Sequence, residues 1–159
     1  MKVGEASINT CVFTLHVESK MEPEFIDITN DVAEYVKESG ILNGFALVFS
    51  RHTTAAITIQ ENEPLLLGDM ANMLERLSPR KADYRHNDFS VRTVNMHEDE
   101  CPNGHSHCQH LVLGTSETLP VVDGDMVLGQ FQRVFAVELD AEKASQVDRR
   151  DVLVQIMGV

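Results

Sequence analysis

Asp123-Gly124 stands between two apolar runs, Glu117–Val122 and Met126–Leu128. A dipeptide of this kind between strand-like segments is the strongest short-range signal for a β-hairpin, because both central residues of the tight turn need positive φ. It commits this part of the chain to antiparallel pairing. Further strand-like stretches surround it. Ser7–Glu18 alternates from Asn9, with Cys11, Phe13, Leu15 and Val17 on one face and Thr10, Thr14 and His16 on the other, as expected of an edge strand. Phe45–Phe49 is an unbroken apolar run that predicts a buried central strand, and Ala55–Ile59 and Val152–Met157 predict two more. In Gln132–Leu139 the residues Val134, Ala136 and Glu138 share one face, and Arg133, Phe135, Val137 and Leu139 the other.

Two helices are predicted. One follows Phe25 and Ile26, capped by Thr29, Asn30 or Asp31 and closed by Gly40, with Val32, Tyr35 and Val36 at helical spacing. The other runs from Pro64 to Leu77, with Leu67, Met70, Leu74 and Leu77 as its apolar stripe. Arg80–Asn103 is long, polar and low in apolar periodicity, and a loop of that kind in a compact domain tends to be functional or mobile. Asp140–Asp151 reads as a charged loop. The sum is one α+β domain over residues 1–159: a mostly antiparallel, sandwich-like sheet structure with two helices.

The chemistry-bearing stretch is Pro102–Gly114, PNGHSHCQHLVLG, which holds His105, His107 and His110. Read as extended and continuing into a short strand at Leu111–Leu113, it would put His105 and His107 on one face, with Cys108 buried on the other. Neutral imidazole ligates zinc and related metals, and a catalytic site needs about three protein ligands and an open position. His52, in RHTTAA, and His86, in DYRHND, could complete such a set with His105 or His107. Thr53, Thr54, Thr115 and Ser116 offer hydroxyls. Glu61, Asn62, Glu63 and Asp69 precede or open the second helix, where acids more often serve the helix dipole than acid–base chemistry.

Charge narrows the partners. A net charge of −12 argues against nucleic acid and against an anionic membrane surface, while leaving room for a phosphorylated small molecule in a locally basic pocket. Three well-spaced cysteines, Cys11, Cys101 and Cys108, form no disulfide framework, and no stretch reads as a signal peptide or membrane span. A cytoplasmic protein is expected.

Taken together, RHTTAAITIQENEP (Arg51–Pro64), Asp69, Leu77-Ser78-Pro79, YRHN (Tyr84–Asn87), NGHSHCQHLVLGTS (Asn103–Ser116), LPVVDG (Leu119–Gly124), LGQFQ (Leu128–Gln132) and Glu138 resemble the YjbQ family, also described as secondary thiamine-phosphate synthases. The resemblance spans about Gly44 to Glu138. It departs in two places: Phe131 stands where members usually carry Trp, and Asp140-Ala141-Glu142-Lys143 where they tend to read D-G-P-R. Lys143, Arg149 or Arg150 would have to supply the missing arginine.

The resemblance implies an α+β sandwich-like fold, a homotrimer, and His52, His105 and His107 as ligands of a divalent metal, zinc first. It implies Glu63 and His86 as catalytic or supporting groups. The implied reaction joins a pyrimidine diphosphate to a thiazole phosphate and releases pyrophosphate. Arg51 would stabilise the departing diphosphate, with Thr53, Thr54, Asn62 and Ser116 positioning substrate. Two alternatives remain open: a metal-dependent hydrolase or lyase acting on a small phosphorylated metabolite, and a non-catalytic trimeric protein that holds a metal or an anion.

Overall fold

The computed structural model describes residues 7–146 and 150–159, with side chains at 145 and 146 left aside. Its elements are β1 (Asn9–Val17), β2 (Glu24–Asp27), α1 (Thr29–Ser39), β3 (Gly44–Ser50), β4 (Ala55–Glu61), α2 (Pro64–Leu77), α3 (Gly104–Leu113), β5 (Ser116–Val122), β6 (Asp125–Met126), β7 (Gln132–Glu138), α4 (Ala141–Gln146) and β8 (Arg150–Gly158). A single 3-10 turn, Arg85–Asn87, interrupts the long polar loop. The strands form two sheets, ordered β1-β8-β3-β5-β6 and β2-β7-β4, and every pairing is antiparallel.

The two sheets pack face to face over one apolar core. Val48, Val121, Val154 and Ile156 from the larger sheet meet Ile57, Val134 and Ala136 from the smaller, and α1 adds Val32 and Val36 at the side. The opposite face of the small sheet carries Ala56, Phe135 and Val137, which pack with Leu139 against Leu74 and Leu67 of α2 and Leu113 of α3. The expected alternation of β7 is therefore used on both faces. β1 lies at the edge of the larger sheet with Cys11, Phe13, Leu15 and Val17 inward, as its alternation predicts. Asp123 and Gly124 sit at φ 53° and 77°, the positive values the hairpin turn demands.

Four helices stand where two were expected. α3 replaces the extended stretch and the short strand at Leu111–Leu113, and α4 occupies the first half of the expected charged loop. The reason for α3 is tertiary. Gln109 donates to the carbonyls of Leu74 and Ser78, and Ser78 donates to that of His105, so buried polar groups tie α3 to the end of α2. The buried face of α3 is His105, Ser106 and Gln109, with no apolar period to announce it. The N-cap position of α1 is Ile28, which has no capping side chain; Thr29 already belongs to the helix, and Asp27 Oδ1 accepts from both its backbone N–H and its hydroxyl. Gly40 closes it in the left-handed conformation, as expected. Leu77 ends α2 exposed, so the packed stripe there is Leu67 and Leu74. β3 is central in its sheet, yet Phe45 and Phe49 face outward; only Ala46, Val48 and Ser50 are buried.

Candidate functional site

Where β3 ends, the chain turns through Arg51-His52-Thr53-Thr54 into β4. This turn forms one wall of a cavity of about 440 Å³. His86, from the 3-10 turn, and His107, from α3, form the facing wall. Arg92, Asn95, Glu100 and Asn103 of the long loop, Lys143 of α4 and Arg150 at the start of β8 complete it. Residues far apart in sequence meet because β3, β4 and β8 all turn at this end of the sandwich.

Arg150 is the most constrained of these. It is only 4% exposed, and its partner Glu138 only 1%. Its Nε donates to Glu138 Oε2 at 2.7 Å and its Nη2 to Oε1 at 2.8 Å. The same Nη2 donates to Thr54 Oγ1 and to the Asp140 carbonyl. Its Nη1 has no protein hydrogen bond among the described residues and is not one of the sealed polar atoms. A guanidinium so fixed leaves its Nη1 group, with two N–H donors, for the cavity it lines without further ordering cost. Arg51 lies exposed at the rim. Lys143 reaches Asp99 at 2.6 Å and Arg92 reaches Glu100 at 2.7 Å, and these pairs hold the long loop against the cavity.

The histidines divide. His52 Nε2 accepts the backbone N–H of Asp151 at 2.9 Å, so the proton of the neutral ring sits on Nδ1. Burial, then the charge of Arg150, lowers its pKa. Its lone pair is engaged, and it can offer a ligand a hydrogen-bond donor. The His86 and His107 rings meet edge to face with centroids 4.7 Å apart. Burial, then the neighbouring His86, lowers the pKa of His107. His86 Nε2 is buried with no partner.

His105 is not brought to His52. In a helix, residues two apart point to nearly opposite sides, and His105 turns away into a separate cavity of about 300 Å³ with Glu22, Glu75, Arg80 and Gln109. Its Nε2 lies 3.3 Å from both Glu22 Oε1 and Ser106 Oγ. Both contacts use one nitrogen, so this is no Ser-His-acid relay, in which the two ring nitrogens serve different partners.

Other expected residues also sit elsewhere. Glu63 caps α2, accepting from the backbone N–H groups of Leu65 and Leu66 at 2.9 and 2.8 Å. Asn62 donates to Asp27 at 2.9 Å. Both follow β4 while Thr54 precedes it, which puts roughly 20 Å of strand between them. Ser116 is exposed at the start of β5 and lines no part of the cavity. Thr53 and Thr54 do line it. Cys108, expected to be buried, is exposed on α3, whereas Cys101 is buried. Burial, then the charge of Asp140, pushes the Cys101 thiol up to about 11, so it stays protonated and unreactive. Arg149 lies outside the described residues.

Sequence reasoning missed Arg92, Asn95, Glu100 and Asn103, which sit in an aperiodic loop with no spacing to mark them. It named Arg150 only as one of three substitutes for an absent arginine.

A family model described as UPF0047 protein YjbQ-like matches residues 13–159. The chain belongs to the YjbQ family. A UPF0047 protein of Methanothermobacter thermautotrophicus is 40% identical over 133 residues, covering 84% of this chain and 85% of its own length. YugU of Bacillus subtilis is 30% identical over 146 residues, covering 91% and 98%. Among solved structures, a YbjQ-like protein of unknown function from Sulfolobus solfataricus superposes with TM-score 0.84 at 29% identity, covering 96% of this chain and all of that one. A YjbQ/UPF0047 protein of Clostridium acetobutylicum superposes with TM-score 0.74 at 31% identity, covering 92% and 98%. YjbQ membership and an α+β fold of this family are thus established. Among the described residues no helix is long and apolar enough to cross a membrane.

Proposed function

We propose that this YjbQ protein is an enzyme acting on a small phosphorylated molecule bound in the cavity between the His52 turn and α3. The observation that carries the reading is Arg150, a buried guanidinium locked by Glu138 with its Nη1 group left for a ligand. The charge of Arg150 is balanced by Glu138, so in a chain of net charge −12 the local attraction for an anion would come from Arg51 and Lys143 on the walls, with Arg150 supplying a positioned donor. Arg51 and Lys143 at the walls would take further phosphate oxygens, Lys143 by exchanging its pairing with Asp99. Thr53 and Thr54 line the path of the substrate, and His52 offers its Nδ1–H. His107, neutral through burial and backed by His86, is the group for proton transfer.

The synthase reaction fits this scheme as release of pyrophosphate towards Arg51 and Arg150. A hydrolase or lyase acting on a phosphorylated metabolite is the second reading, favoured by the paired imidazoles of His86 and His107. A divalent metal, zinc first, belongs to both readings, and bound beside those imidazoles it would supply a Lewis acid. Imidazole donors and the unpartnered Nε2 of His86 suit such an ion; Glu63, held by the α2 cap, is left out of the chemistry. We extend the proposal to a cytoplasmic homotrimer; for the association, the support is the exposed apolar side chains Val12, Phe45 and Phe49 on the outer face of the larger sheet.

The test is calorimetric titration with inorganic phosphate and pyrophosphate, followed by assay of pyrophosphate release from the two thiamine precursors. Binding that weakens at least tenfold in Arg51→Ala, with release lost in His107→Ala, supports the synthase. Phosphate binding with no release, but turnover of a phosphorylated metabolite, supports the hydrolase. Binding without any turnover leaves a binding protein, and absence of anion binding sinks the proposal.

A further inference from the structure

His110 had no place in the site drawn from sequence, and the fold gives it one. α3 turns once between His107 and His110, so the two imidazoles leave the same helix face one above the other. His107 feels the charge of both His86 and His110. His110 also lines a crevice of about 340 Å³ with His52, Thr53 and Thr115, which adjoins the main cavity through the shared His52 turn. His86 and His107 line the phosphate cavity, and His110 lies one turn further along α3 in the adjoining crevice.

Two of them have an unmet need. His86 Nε2 and His110 Nε2 are each buried without a hydrogen-bond partner. A buried polar atom left unpaired costs about 1–3 kcal/mol, so such atoms usually answer to a ligand, an ion or a water. The other candidate histidines are committed elsewhere. His52 spends its lone pair on the Asp151 N–H, and His105, whose Nδ1 is likewise buried without a partner, faces the separate Glu22 cavity.

We propose that His86, His107 and His110 form a site for a borderline transition-metal ion such as Zn²⁺ or Co²⁺, with His110 as the third donor in place of His52 and His105. The inference rests on the metal reading above and specifies its ligands; with the ion bound, His107 would be a ligand and no longer the proton-transfer group. Among the described residues no three His, Cys, Asp or Glu side chains already stand grouped to hold an ion. Binding therefore draws the rings together by side-chain rotation, and the edge-to-face pair of His86 and His107 is the starting arrangement. Three imidazoles and no carboxylate favour zinc or cobalt over magnesium or calcium, which prefer oxygen.

The experiment titrates the metal-stripped full chain with Co²⁺ and follows its visible d–d absorption. Wild type is expected to bind with an intense tetrahedral-type spectrum. His110→Ala and His110→Gln are each expected to weaken binding by about tenfold or more, since even supporting groups around a metal are worth 10- to 100-fold. Inorganic phosphate binding is measured in the same variants as a check on the fold. In wild type, Co²⁺ should also broaden the ring resonances of His86, His107 and His110 while sparing those of His16, a readout that needs no variant. Equal affinity and an unchanged spectrum in both His110 variants would overturn the inference and leave the metal reading standing. No Co²⁺ uptake by wild type would overturn the metal reading together with this site, while phosphate titration decides the anion reading separately.

Discussion

Arg150→Met removes the partner of a carboxylate that is 1% exposed. Breaking a buried pair from one side typically costs 3–5 kcal/mol, because the remaining charge is stranded. We expect a loss of about that size in denaturant unfolding, together with loss of phosphate binding. The double variant Arg150→Met, Glu138→Leu separates the two effects: stability should largely return, since both charges are gone, while phosphate binding stays lost. Recovery of binding in the double variant would show that Arg150 is structural only. Asp27 gives the corresponding test in pH. Burial acts to raise its pKa, but hydrogen bonds from Arg133, Thr29 and Asn62 win and lower it to about 2. A depressed carboxylate stabilises the fold above its unfolded value near 4 and loses that contribution as pH falls through about 2. Asp27→Asn should therefore lower stability at neutral pH and flatten the decline between about pH 4 and pH 2. An unchanged pH profile by urea midpoints would contradict the assignment. At this scale the sequence was partly legible. Arg51, His52, Thr53 and Thr54 are contiguous and follow a strand, so their place at its mouth could be read directly. Arg150 could not be singled out, because only the packing of one sheet on the other brings the start of β8 beside Thr54 and the end of β7.

The helices show where local pattern stops being informative. α2 was legible from Pro64 to Leu77 because its start and stop signals and its apolar positions agree. α3 was not, because the groups it buries are His105, Ser106 and Gln109, and its fixed points are carbonyls of α2 that no local window contains. Misreading it as a strand put His105 and His107 on one face; the helix puts them on different sides and joins His107 to His110. Two substitutions test this view. Glu63→Ala removes both cap contacts of α2 and should cost about 1 kcal/mol in thermal unfolding with phosphate affinity unchanged; a fall in affinity would return Glu63 to the site. Gly104 opens α3 where a Cβ would stand 2.6 Å from Tyr84 Cβ and 3.1 Å from Asn87 Oδ1. Its own N–H donates to that same oxygen at 2.9 Å. Gly104→Ala must push the Tyr84–Asn87 segment away, at roughly 1–3 kcal/mol by the usual cost of overpacking. The cross-peaks between the His86 and His107 rings should weaken with it, and full retention of both stability and ring contact would show that the two walls are not coupled here.

The architecture as a whole was legible through its hairpin and its alternations, but β3 was read as buried on both faces and is not. Phe45, Leu47 and Phe49 point outward beside Met157, Gln155 and Leu153 of β8, with Val12 of β1 beyond Gln155, and Val12, Phe45 and Phe49 are 56%, 40% and 37% exposed. An unbroken apolar strand of this kind is explained if a neighbouring molecule supplies the missing layer. On that face the apolar side chains are interrupted by Thr10, Thr14, Gln155 and the His16–Asp151 pair, so its exposed apolar part is centred on β3. A ring of three copies joins head to tail, so each copy needs two different sticky surfaces. The second is present on the helical side, where Leu65, Met73, Leu77, Leu111 and Val112 are exposed. A closed trimer therefore predicts that Phe45→Glu, on the sheet, and Leu111→Glu, on α3, each yield monomers. Light scattering of wild type should give three times the 17.8 kDa of one chain. If Phe45→Glu dissociates the assembly and Leu111→Glu does not, the sheet face pairs with itself, which is the geometry of a two-fold dimer and excludes this arrangement of the ring. If neither substitution changes the mass, both faces are free surface and the apolar strand has another cause.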